Sequence, residues 1–217
     1  MANSEQSSPE RLAYWYFRLN GFLTIENFIV HPDTGRNQRT DADILAVRFA
    51  HRAENLINPM ADDPCVSECR AFCNVIIAEV KSSTCALNGP WTRPDDQNIH
   101  RVLKSIGCLS PMEIDSAAKA LYQKGMFNNT IVTCRLIAVG DKRGQLPIEG
   151  VHQIIFNNMI EFIHARFRAY RHQKSSVGNW ASDGRRLKNL ASSHSERSDF
   201  KREARQYFGL CSEDARQ

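Results

Sequence analysis

The chain has 217 residues, 42% of them hydrophobic, and a formal net charge of +4. That length supplies one sizeable core, so a single domain with an appended tail is expected, and the mild positive charge permits a nucleic-acid partner without requiring one. No run approaches the roughly 20 apolar residues of a membrane-crossing helix, and the first residues lack a secretion signal's basic flank and apolar stretch, so a cytoplasmic protein without a membrane partner is expected.

In chain order, Ser7-Ser8-Pro9-Glu10 fits a capping box with proline in the first turn. It opens a helix over residues 9–19 whose Leu12, Trp15, Tyr16 and Leu19 form an inward stripe, ended by Asn20-Gly21. Strands are expected over residues 22–31 and 40–49, joined as a hairpin through Pro32-Asp33-Thr34-Gly35. Residues 50–73 read as a polar, irregular insertion with a short helix near 65–72. A third strand over 74–83 is followed by a loop to Pro94, after which Asp95 or Asp96 can cap a helix carrying Ile99, Val102, Leu103 and Ile106 inward. Ser110-Pro111-Met112-Glu113 starts another helix, stopped by Gly125, and a fourth strand is expected over 130–139. Residues 148–173 carry the longest helical pattern, with Ile155, Met159, Phe162, Ile163 and Phe167 on one stripe. These elements make a domain over 1–173. Residues 174–217, basic from Lys174 to Arg216, read as a loosely packed polar extension or an added element, not a second domain, with one weak helix near 196–207.

Seven cysteines are an odd number without a secretory context, so free thiols are expected. Cys65, Cys69 and Cys73 recur every four residues, but this is not a common zinc spacing and no fourth ligand is evident, so a structural role is expected.

Two charge anomalies stand out. Asn74-Val-Ile-Ile-Ala-Glu79-Val80-Lys81 places an acid and a base in what otherwise reads as a strand buried on both faces. Burying those charges is costly unless each is paired or holds a metal. Residues two apart on a strand share a face, so Glu79 and Lys81 project together. Upstream, Thr40-Asp41-Ala42-Asp43-Ile44-Leu45 sets Asp41 and Asp43 on one face of a second strand and Ala42 and Ile44 on the other. Strands about 4.8 Å apart bring carboxylates within reach of one hard cation.

Asp43-Ile44-Leu45-Ala46 and Ile77-Ala78-Glu79-Val80-Lys81, in that order of elements, resemble the PD-(D/E)XK nuclease superfamily. The resemblance covers most of residues 9–140. It implies an α/β fold in which a mixed central β-sheet is flanked by helices, a restriction-endonuclease-like αβββαβ core with a C-terminal helical extension. It further implies hydrolysis of nucleic acid, with DNA favoured, and a Mg2+ (or Mn2+) ion held by Asp43, Glu79 and the backbone carbonyl of Val80. Lys81 would orient or help deprotonate the attacking water. Glu10 and Gln97 correspond to positions that support such sites, although a capping box accounts for Glu10 and a solvated first turn for Gln97. Ala42 departs from the name-giving proline, and the 50–73 insertion leaves the substrate open.

Substrate contacts can be sought in two places. Trp91 could stack on an unpaired base and Arg93 hold a phosphate, or Trp91 could anchor its loop in the core. Arg166, Arg168, Arg171 and Lys174 could follow a nucleic-acid backbone or form a solvated face. Nothing reads as a sequence-specific DNA-binding element, so a partner protein that delivers substrate is compatible with the chain. The alternative is a catalytically inactive binding or scaffold module of the same fold.

Overall fold

A computed structural model describes residues 6–34, 38–69, 71–176 and 178–211. Gly35 of the expected hairpin turn and Arg216 of the tail lie outside them. Helix α1 (Pro9–Leu19) has the expected bounds, but Ser8 and not Ser7 caps it: the Ser8 hydroxyl accepts from the Arg11 N–H, with Pro9 opening the helix. Glu10 is therefore its second residue and makes no capping box. Strands β1 (Leu23–Val30) and β2 (Thr40–Phe49) follow, then the short α2 (Pro64–Ser67) and β3 (Cys73–Val80). Next come α3 (Asn98–Ile106), α4 (Ile114–Lys124), β4 (Met126–Asn128), β5 (Val132–Gly140) and β6 (His152–Ile155). Helices α5 (Phe156–Ala169), α6 (Ser182–Ser193) and α7 (Arg197–Tyr207) complete the order.

The sheet is mixed and six-stranded, in the order β1-β2-β3-β5-β4, with β6 also on the far side of β5. β1, β2 and β3 run antiparallel in turn, whereas β3, β5 and β6 are parallel. Every residue of β3 is buried, as its continuous apolar run requires. On one face Ile44, Ile76, Ala78 and Val139 pack against α1, α5, α6 and α7. On the other, Val75, Ile77 and Leu136 pack against α3 and α4. The fold is thus α/β, with the sheet between two helical layers.

Three expectations need correction. Residues 148–155 are not the start of a helix. Pro147 and Gly150 disfavour one, and residues 152–155 pair along residues 137–140 of β5 where β4 has ended, so pairing overrides the apolar spacing. The tail is not loosely packed either. Leu187, Leu190 and Ala191 of α6 and Phe200 and Ala204 of α7 are spaced for a helix face and join the core of α1 and α5. Trp180 stacks on Trp15 with ring centroids 5.1 Å apart. Each buried Leu or Phe among them contributes about 1.5–3 kcal/mol, so α6 and α7 share the core of the elements before residue 173. Finally, strand alternation breaks at Asp43. Asn27 opposite takes a left-handed φ of 49°, the register skips that pair, and Ala42 and Ile44 pack into opposite cores. Asn tolerates this conformation better than most side chains, and such irregularities re-aim a side chain.

Candidate active site

Antiparallel pairing of Ile44 with Ala78 brings Asp43 level with Glu79 on the neighbouring strand. The Val80 N–H donates to Asp43 Oδ2 at 2.7 Å. Glu79 is only 2% exposed. Its Oε1 accepts from the Lys81 ammonium, and its Oε2 accepts from the Trp91 indole N–H at 2.7 Å. Lys81 is 30% exposed and so connects the buried carboxylate to solvent. The pairing of neighbouring strands thus gathers Asp43, Glu79, Val80 and Lys81.

Burial pushes both carboxyls upward from their ordinary pKa. For Asp43 the Val80 N–H and the Lys81 charge act against that shift, while Glu10 and Asp41 add to it. For Glu79 the Lys81 hydrogen bond opposes burial, the Asp43 charge reinforces it, and the Trp91 N–H opposes it. Desolvation together with the neighbouring acids outweighs the stabilising partners in both cases. Glu10 bears on Asp43 from the first turn of α1, which puts it at the rim of the cluster.

The other expected site residues are more dispersed. Gln97 is exposed just ahead of α3, with a left-handed φ of 54°, and lines a groove with His31, Asp33 and Lys104. Asp95 and Asp96 lie in a 3₁₀ turn and do not cap α3. Trp91 is 1% exposed, so its indole is not available to stack on a base and acts as the donor to Glu79. Arg93 faces solvent and pairs with Asp96 at 2.9 Å.

Arg166 corrects the expectation of a nucleic-acid contact. It is 0% exposed and donates to Glu54 at 3.1 Å, to Asp62 at 2.6 Å, and to the carbonyls of Met60 and Ala61. Lys174 also pairs with Glu54. These bonds clip the 50–63 insertion to α5, because a guanidinium packed between Phe162 and Tyr170 needs charged partners. Arg168 and Arg171 are exposed. They belong to the layer that covers the face opposite Trp91.

Among the described residues, no three His, Cys, Asp or Glu side chains converge as a metal-binding group. Two carboxylates with an adjacent main-chain carbonyl nevertheless suit magnesium or manganese, since magnesium keeps several waters and uses one or two protein carboxylates. Sequence reasoning missed Trp91 as the partner of Glu79 and Asn27 as the irregularity opposite Asp43. The signals available were a tryptophan after Gly89-Pro90 and an asparagine inside an apolar strand. No helix among the described residues is long and apolar enough to cross a membrane. No family model, curated protein or solved structure matches the chain.

Proposed function

We propose that the chain is a divalent-metal-dependent nuclease of the PD-(D/E)XK kind, which hydrolyses phosphodiester bonds in nucleic acid, with DNA the favoured substrate. The observation that carries this reading is the joining of Asp43 to Val80 and of Glu79 to Lys81 on neighbouring core strands. Asp43, Glu79 and the Val80 carbonyl would hold magnesium or manganese. When bound, that ion supplies an acidified water and neutralises a phosphate oxygen.

The protein's own groups then have separable tasks. The Val80 N–H fixes one Asp43 oxygen, and the Trp91 N–H fixes one Glu79 oxygen, so neither carboxylate has to reorganise when substrate arrives. Lys81, paired with Glu79 and 30% exposed, would offset the negative charge that grows on the phosphate. Glu10 adds negative charge at the rim, which favours a cation there.

The test is purified protein assayed with magnesium or manganese on linear, circular, single-stranded and branched DNA and on RNA. Asp43→Ala and Glu79→Gln should each remove cleavage while a cooperative melt is kept. Wild-type cleavage by either variant overturns the assignment. One observation favours the second reading, a non-catalytic module of the same fold: both Glu79 oxygens already have donors. Metal binding without cleavage of any of these substrates would select it.

A further inference from the structure

Beyond Glu79 and Lys81 the chain enters residues 82–85, and beyond β5 it enters residues 141–144. Backbone bonds zip these two loops together. The Lys81 N–H donates to the Val139 carbonyl at 2.9 Å, the Asp141 N–H to that of Ser83 at 2.5 Å, and the Cys85 N–H to that of Lys142 at 2.8 Å. Thr84 and Lys142 form a parallel bridge. Two glycines allow this approach: a Cβ on Gly140 would lie 2.6 Å from the Cys85 nitrogen, and one on Gly144 would lie 2.5 Å from the Cys85 oxygen. Gln153 bonds both the N–H and the carbonyl of Gly144, at 2.8 Å each. The loops are therefore held in place.

Their outward side is cationic and rich in hydroxyls. Ser82, Ser83, Thr84, Lys142 and Arg143 are all exposed. The acid next to them, Asp141, is turned inward onto Arg205 at 2.8 Å. Neither Lys142 nor Arg143 has an acidic partner among the described residues. The pair sits at the carboxyl ends of parallel strands, where open α/β sheets receive ligands. Lys142 is four residues past Ala138, the register partner of Glu79. At about 3.3 Å per residue that is about 13 Å, or roughly four nucleotides of one duplex strand at 3.4 Å of axis each.

We infer that Lys142, Arg143 and the Ser82–Ser83–Thr84 hydroxyls form the docking surface for the phosphate backbone of the nucleic-acid strand that enters the Asp43–Glu79 site. This rests on the nuclease reading and replaces the arginines of α5 as the substrate contact. Unpaired Lys and Arg with flanking hydroxyls are the donors that protein–DNA interfaces direct at phosphate oxygens, positioning the strand without reading its sequence.

The test measures binding without turnover. Anisotropy of a labelled DNA duplex and of a single strand is followed in chelator between about 50 and 200 mM salt. Lys142→Gln/Arg143→Gln should flatten the plot of log affinity against log salt by about 1.8, at 0.9 per phosphate contact, and weaken binding roughly 60-fold at about 0.1 M salt. Lys142→Arg/Arg143→Lys, which keeps the charge, should retain the slope and so separate charge from folding. An unchanged slope in the glutamine pair overturns the inference, as does a loss seen with anionic phospholipid vesicles and not with nucleic acid. Magnesium-dependent cleavage with loop-independent binding would remove this surface and leave the nuclease reading standing. Loop-dependent binding without cleavage by the wild type would do the reverse.

Discussion

Replacing Trp91 by Phe isolates one hydrogen bond at the centre of the candidate site. The indole N–H donates to Glu79 Oε2 at 2.7 Å, between side chains that are 1% and 2% exposed. Phe keeps a ring in the pocket and removes the donor. A hydrogen bond to a charged group contributes about 1.5–3 kcal/mol, and one between neutral groups about 0.5–1.5. Glu79 titrates above its ordinary value because burial dominates, and losing an N–H that favours the carboxylate moves it further up. A carboxyl whose folded pKa lies above its unfolded value stabilises the fold least at high pH. The penalty is absent below the unfolded pKa, near 4.3, and complete once pH has passed the folded pKa. The cost of Trp91→Phe should therefore be about 1–1.5 kcal/mol greater at pH 7 than near pH 4, the gap between the two kinds of bond. The cost of the lost ring volume is the same at both. Urea unfolding at the two pH values, with m unchanged, reads this difference directly. An equal loss of stability at both would show that the indole merely fills space beside Glu79.

Two further outcomes follow from the same geometry. In chelator at neutral pH, Asp43→Asn should raise stability by about 0.5–2 kcal/mol, since the amide oxygen can still accept from the Val80 N–H while the buried charge and its repulsion of Glu79 are gone. An unchanged or lower melting temperature would make Asp43 a structural ion-pair partner. Arg166→Met should cost about 1–3 kcal/mol by removing the donor to Glu54, Asp62 and the Met60 and Ala61 carbonyls, with Arg48, Arg52 and Lys174 still paired to the two acids, whereas Arg168→Ala/Arg171→Ala should stay within about 0.5 kcal/mol. Thermal melts of the two variants rank these costs, and a small loss for Arg166→Met would refute its role as the clip of the insertion.

What was legible in the sequence was what local chemistry dictates. Pro9, Gly21 and Gly125 punctuate helices where turn and cap preferences place them, and the apolar run of β3 marks the sheet's interior. Glu79 and Lys81 could be placed side by side in advance by strand alternation, and Asp43 near them by the pairing of neighbouring strands, neither of which needs knowledge of loops. The remainder depends on partners distant in the chain. β6 was hidden because the apolar residues from Ile148 to Ile155 suit a helix until the vacant edge of β5 is known. Arg166 looks like any arginine of a basic helix end until Glu54 and Asp62 arrive from the insertion. The contact of Trp91 with Glu79 depends on a 3₁₀ turn over Gly89–Trp91 that folds the loop back over β3.

The balance of charge at the site argues for more than a structural role. Glu10 and Asp41 act on Asp43, Asp43 acts on Glu79, and the Lys81 cation opposes burial at both core carboxyls. Arg11 does not redress this, because its guanidinium is committed to Glu26 and Asp183. A sheet selected only for stability would gain by replacing Asp43 or Glu79 with an apolar or amide side chain, since burial and the neighbouring acids together outweigh the favourable partners each one has. A divalent cation held there, as proposed, would reverse that balance, because it would turn the repulsion between Asp43 and Glu79 into shared attraction. The proposal would also account for the broken strand alternation at Asp43, since a fold can give up local regularity to position reactive groups.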